Sequence, residues 1–235
     1  MKVGIIIITF NIHPEVFLLQ IAAIKKFCKD DFDILVIDNS SDADSAENIR
    51  YHSSVQHLSY TKTFAGGHGS SDSHSFAANF AYQKFKDDYD FFLFLDHDAI
   101  PVKEFSVIDT LNGGHVAAGI GQDKKKKYPW PGCFMLNNNA VDKDIVDFSP
   151  NSEYGLDTGG NLYLILEEYG SEAFKDFNES YHQNPGFVSK DYGHYAMIND
   201  QMFLHFVNGS NWNTKADHAN RINSLINVVK EKTGL

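Results

Sequence analysis

The sequence predicts an α/β fold built on a mostly parallel sheet with helices on both faces. Three observations carry that reading. Short apolar runs recur at residues 3–8 (VGIIII), 32–37 (FDILVI) and 91–95 (FFLFL), and runs of this length describe buried strands. The segments between them carry apolar residues at helical spacing, and alternating strand and helix units close into a parallel sheet. All three runs end in polar clusters, Thr9-Phe10-Asn11, Asp38-Asn39 and Asp96-His97-Asp98, and such sheets bind ligands beyond the carboxyl ends of their strands.

The elements follow in order. Pro14 opens the first helix, with Val16, Leu19, Ala23 and Phe27 at helical spacing. Residues 55–60 form a weaker third strand. The Gly- and Ser-rich stretch TFAGGHGSSDSH is a loop, read either as flexible or as a place where Gly66 and Gly67 let the backbone approach a ligand. Ser73 or Ser75 caps the next helix, which carries Phe76, Phe80, Ala81 and Phe85 on one side. Beyond residue 101 the pattern is less regular, with short strands at 116–120, 133–136 and 202–207 and a turn running into an apolar helix at 155–166. Residues 216–229 place Ile222, Leu225, Ile226 and Val229 on one helical face. That face reads as docked on the body, with a membrane-surface or dimer helix as the second reading. No repeat or linker intervenes, so the chain reads as one domain over 1–235, with halves at 1–100 and 101–215 and a C-terminal helix at 216–235.

Composition narrows the function. With 235 residues and 43% apolar content the chain has a substantial core. A net charge of −11 argues against nucleic acid as the main partner, since backbone phosphates need a basic face. Cys28 and Cys133 do not make a disulfide framework, and a reduced, cytoplasmic setting is the simpler reading. The opening MKVGIIIITF is too short to span a membrane and is followed by no small-residue cleavage site, and no other apolar run approaches about 18 residues. The four lysines at 124–127 read as a solvated loop, with contact to a diphosphate or to an anionic membrane surface as the alternative. No Gly-x-Gly-x-x-Gly follows the first strand and no Walker A motif occurs, against a dinucleotide dehydrogenase or a P-loop NTPase.

The stretch DFFLFLDHDAIP at 90–101 organises the rest. On an extended chain, side chains two apart point the same way, so Asp96 and Asp98 are expected to face one ligand. Two carboxylates at the mouth of an apolar strand are costly without a charged partner. A hard divalent cation holding phosphate oxygens is a natural one, and a solvated turn is the plain alternative.

Read together, VGIIIITFN, ILVIDNSS, SHSFAANFAYQKF, FFLFLDHD, PGCFMLNNNAV and LHFVNGSNW resemble, in order and spacing, the family 2 glycosyltransferases of the GT-A, Rossmann-like fold. The likeness covers roughly residues 2–210. It implies an inverting, hexosyltransferase-type enzyme that moves a sugar from a nucleotide-sugar, by default a UDP-sugar, to a hydroxyl of a glycan or glycolipid, as in polysaccharide assembly. It implies a divalent metal, Mn²⁺ or Mg²⁺, with Asp98 as direct ligand, His205 as a further ligand, and Asp96 on the metal site, ribose or sugar. Donor contacts fall to Thr9, Phe10, Asn11, Asp38, Asn39, Gly66 and Gly67. The general base is Asp157, which equally suits a helix cap, with Glu153 as fallback. Tyr128 and Trp130, in a Pro-bounded loop, offer aromatic faces to an acceptor sugar. Two departures stand out: Ala77-Ala78-Asn79 where the family carries Ala-Arg-Asn, and a single acid in Gly155-Leu156-Asp157-Thr158 where it often carries a Glu-Asp pair.

Other readings stay open. A sugar nucleotidyltransferase would need a Gly-rich basic loop after the first strand, and TFNIHPE is not one. A non-catalytic nucleotide- or carbohydrate-binding module of the same fold has no such obstacle. A metal-dependent hydrolase would use the eleven histidines, but they are scattered.

Overall fold

The computed structural model describes residues 1–10, 13–40, 47, 49–51, 58–62, 70–183, 194–206 and 218–235. Strand β1 (Val3–Thr9) leads into α1 (Pro14–Phe27), whose first turn is capped by His13, then β2 (Phe32–Asp38) and β3 (Leu58–Lys62). Helix α2 (Ser70–Phe85) precedes β4 (Phe91–Asp96) and β5 (Ala99–Pro101). After α3 (Val107–Leu111) come β6 (Ala117–Asp123), β7 (Lys127–Asn137), α4 (Tyr163–Tyr169) and β8 (Phe174–Asp176). Strands β9 (Glu179–Gln183), β10 (His194–Ile198) and β11 (Phe203–Phe206) and helix α5 (His218–Thr233) complete the order.

The main sheet runs β3-β2-β1-β4-β7-β6-β8. Its first four strands are parallel, β7 enters antiparallel to β4 and β6, and β8 returns parallel to β6. The sheet is therefore mixed. A second, antiparallel sheet runs β5-β11-β10-β9; of its strands only β11 matches an expected one, at 202–207.

The apolar runs have no polar alternation because both faces of the main sheet are covered. Val3, Ile5 and Ile7 of β1 and Phe91, Leu93 and Leu95 of β4 pack into one core with α1 and α5. Ile6, Ile8, Phe92 and Phe94 pack into the other with Ala77, Ala78 and Tyr82 of α2. Each such side chain contributes roughly 1.5–3 kcal/mol by leaving water. Helix α5 docks as expected, with Ile222, Leu225, Ile226 and Val229 buried, Lys26 donating to the Thr233 carbonyl and Lys230 paired with Glu15. Among the described residues no helix is long and apolar enough to cross a membrane.

Three local expectations change. Helix α2 begins at Ser70, ahead of Ser73 and Ser75, so neither caps it. Ser75 instead bonds back to the Ser71 carbonyl. Tyr128-Pro129-Trp130-Pro131 is not a loop but the start of β7, whose prolines fall where the pairing with β6 shifts register. The third strand starts at Leu58, and residues 55–57 lie outside the described residues.

Candidate active site

Sheet register gathers the polar strand ends. Thr9 pairs with Asp38, and Ile8 with Asp96, so β1, β2 and β4 stop along one edge. Asp38 is fully buried there. Its Oδ1 accepts from Thr9 Oγ1 (3.3 Å) and Ser40 N (2.9 Å), and its Oδ2 from the Tyr60 hydroxyl (2.8 Å) and Lys62 Nζ (3.2 Å). Asn39 donates to the Ser73 carbonyl on α2 at 3.1 Å. Asp38, Asn39 and Thr9 therefore knit the edge together, and Phe10, 39% exposed, offers an aromatic face beside them. Asn11, Gly66 and Gly67 lie outside the described residues.

Asp96 and Asp98 do not act as an extended pair. Strand β4 ends at Asp96, residues 97 and 98 form a turn, and the chain crosses into the second sheet as β5. The alternation rule for strands thus stops one residue too early. Buried Gln20 of α1 holds the turn by donating to the carbonyls of Asp96 and Ala99, both at 2.8 Å. The carboxylates then meet different histidines.

Asp96 Oδ1 lies 2.6 Å from Nε2 of His74 on α2. Facing a carboxylate, that nitrogen carries the proton. Burial opposes charge on both, yet the Asp96 carboxyl is held below its usual range by His74, with His97 and His205 adding to it, and Asp96 raises His74. His74 Nδ1 is buried and has no partner among the described residues. His97, between the two acids in the chain, is buried.

Asp98, 4% exposed, faces His205 of β11 across 3.7 Å. The β11–β5 pairing sets this, with His205 opposite Ala99 and Phe206 N bonded to the Asp98 carbonyl. Burial pushes His205 down to about 4, so its imidazole is neutral at physiological pH, the form that ligates metals. The Trp130 indole lies 4.6 Å from the His205 ring, within the site.

Gly132 makes room for this packing. A Cβ there would fall inside the Trp130 indole and 2.6 Å from Asp96 Oδ2. Gly132→Ala is therefore expected to destabilise the fold by about 1–3 kcal/mol through overpacking, lowering Tm by about 2–4 °C for each kcal/mol in a domain of this size. An unchanged Tm in thermal unfolding would refute the close packing of Trp130 and Asp96 against Gly132.

Asp157 sits in an exposed loop that closes on the same region. Gly159, at φ 78°, lies against Pro131 of β7, and Gly159 N bonds the Phe148 carbonyl. Gly159, not Asp157, stands at the N-cap of the following helical turn. Thr158 Oγ1 donates to the Ser71 carbonyl (3.2 Å). The Ser71 side chain bonds the Asp157 carboxylate and, with the Thr158 N–H, Lys124 and His74, holds its pKa below the usual range despite partial burial. Tyr128 is fully buried, with its hydroxyl unpartnered among the described residues, so it presents no face to a sugar. Glu153 is exposed in the same loop region.

The donor set fits a divalent cation in part. Asp98 and neutral His205 are suitable donors, and ions of this kind commonly keep waters and phosphate oxygens as their other ligands. Asp96 is engaged by His74, and among the described residues no cluster of three or more His, Cys, Asp or Glu is arranged to hold a metal. His74, Gln20 and Gly132 were missed in the sequence. Only His74, at Ser-His-Ser-Phe on the helix before β4, carried a chemical signal.

No protein-family model and no curated protein matches the chain. Among solved structures it is similar to the bifunctional glycosyltransferase WbbM (13% identity, TM-score 0.46, covering 74% of this chain and 38% of that one). It is also similar to the mannosyltransferase PcManGT from Pyrobaculum calidifontis, solved with GDP-Man and Mn²⁺ (13%, 0.40, 62% and 48%). A third is the galactosyltransferase LgtC with donor and acceptor sugar analogues (12%, 0.44, 74% and 72%). The chain spans less than half the length of the first two, and likenesses this distant carry no inference about chemistry.

Proposed function

We propose that the protein is a metal-dependent, inverting glycosyltransferase of the GT-A type that uses a nucleotide-sugar, with a UDP-sugar as the default donor. The supporting observation is that three parallel strand ends, the Asp98–His205 pair, the Asp96–His74 pair and the Asp157 loop converge at one edge of the sheet, where such sheets bind ligands. The nucleoside lies along Phe10 and the edge built by Thr9, Asp38 and Asn39. Asp98 and His205 would hold Mn²⁺ or Mg²⁺, whose chemistry is to neutralise charge on the departing diphosphate. His74 orients the Asp96 carboxylate toward the sugar or ribose. Its Nδ1, without a partner among the described residues, supplies polarity on the helix where the resembled family carries arginine. As the acceptor oxygen bonds the anomeric carbon and the bond to the diphosphate breaks, Asp157 takes the acceptor proton. Its lowered pKa keeps it ionised at the cost of basicity.

A second reading, a non-catalytic nucleotide- or carbohydrate-binding module, draws on the hydrogen bonds from Ser71 and Thr158 that occupy the Asp157 carboxylate. The direct test of the donor site is isothermal titration with UDP, GDP and dTDP in Mn²⁺ and after chelation. One nucleotide is expected to bind, weakening about tenfold or more, or about 1.4 kcal/mol, when the metal is removed. Absence of nucleotide binding under both conditions would sink the donor-site assignment.

A further inference from the structure

Helix α2 has two working faces. Ser71 and His74 turn toward Asp157 and Asp96. At 3.6 residues per turn, Asp72, Ser75, Phe76 and Asn79 form a neighbouring stripe roughly 120° around the helix. That stripe lines a cleft of about 550 Å³, closed on its far side by the segment from Ser149 to Leu156. The volume lies within the range of small-ligand sites.

The far wall is fixed rather than loosely apposed. Asn79 Nδ2 donates to Asp147 Oδ1 (2.9 Å) and Ser149 Oγ (3.1 Å), and its Oδ1 accepts from Phe148 N (2.9 Å). Asn161 donates to the other Asp147 oxygen at 2.7 Å. Asn79 is thus consumed in building the cleft. The groups left to a ligand are the ring of Phe76, 54% exposed, and the exposed Asp72 and Ser152.

An exposed aromatic face flanked by a carboxylate and a hydroxyl matches a pyranose, which has an apolar face of C–H groups and a rim of hydroxyls. A sugar on Phe76 would stack its apolar face and donate hydroxyls to Asp72. The cleft also adjoins the reacting centre along both walls, because Asp72 follows Ser71 and Leu156 precedes Asp157 in the chain. We infer that this cleft is a saccharide subsite for the acceptor glycan, with Phe76 as its platform. Its role for an acceptor rests on the transferase reading, whereas the saccharide site does not.

The test is saturation-transfer difference NMR on the full chain with lactose, cellobiose, maltose, N,N′-diacetylchitobiose and α-1,2-mannobiose, without nucleotide. At least one disaccharide is expected to bind, with Phe76→Ala weakening it about tenfold and Phe76→Tyr, which keeps the ring, leaving it within about threefold. Phe76 is largely exposed, so Phe76→Ala should leave the thermal unfolding transition essentially unchanged. Undiminished saccharide binding in Phe76→Ala, or none in the wild type, would overturn the subsite. Nucleotide titration of the same samples separates the two ideas. Saccharide binding lost in Phe76→Ala without any nucleotide binding would keep the subsite and remove the transferase. Nucleotide binding with saccharide binding indifferent to Phe76 would do the reverse.

Discussion

Asp157→Asn is expected to lower sugar transfer by about 10²–10⁴-fold, the usual contribution of a positioned general base, while nucleotide affinity stays within about threefold. Asparagine fits the same volume and can still accept hydrogen bonds from Ser71 and Thr158, so the loop should keep its shape. What it loses is the capacity to take a proton. Measured as release of the nucleoside diphosphate from its sugar conjugate, the loss should fall on turnover rather than on donor binding. Transfer within tenfold of wild type would remove Asp157 from the base role and turn attention to Glu153, exposed nearby. A protein that binds nucleotide and shows no transfer even as wild type would favour the binding-module reading. The Ser71 bond sharpens the experiment, because Ser71→Ala would release a constraint that holds the Asp157 pKa down.

The sheet was legible because its signals are local. The runs at 3–8, 32–37 and 91–95 are unbroken but for Asp33, since each strand buries alternate residues in two different cores, and the polar stops mark the shared edge. The amphipathic C-terminal helix was legible for the same reason. Of the second sheet only β11 was legible, because its strands carry three to five residues of mixed character and are defined by long-range pairing rather than by pattern. The site was half legible. Asp98 and His205 were named together and stand together. Tyr128 was misplaced because prolines that read as loop punctuation sit at a register shift within β7. His74 escaped because its importance depends on the turn that sends Asp96 and Asp98 apart, and neither helix nor strand periodicity encodes that turn.

That divergence gives the second large effect. Asp98→Ala is expected to abolish the metal-dependent gain in nucleotide affinity, so titrations with and without Mn²⁺ superimpose, a loss of about tenfold or more. Asp96→Asn is expected to act differently. Asp96 faces His74 at 2.6 Å while Asp98 faces His205 at 3.7 Å, so the asparagine should weaken donor binding yet leave the response to Mn²⁺ in place. A short charge-assisted contact between protein groups leaves little carboxylate for a cation, whereas the longer separation of a buried carboxylate from a neutral imidazole is one that a cation could bridge. If Asp96→Asn erases the metal response and Asp98→Ala spares it, the two acids have exchanged roles and His74 must yield Asp96 when the donor binds. If both erase it, the turn closes on the metal as one unit, and Gln20, which grips the carbonyls of Asp96 and Ala99, becomes the residue that holds the unit in shape.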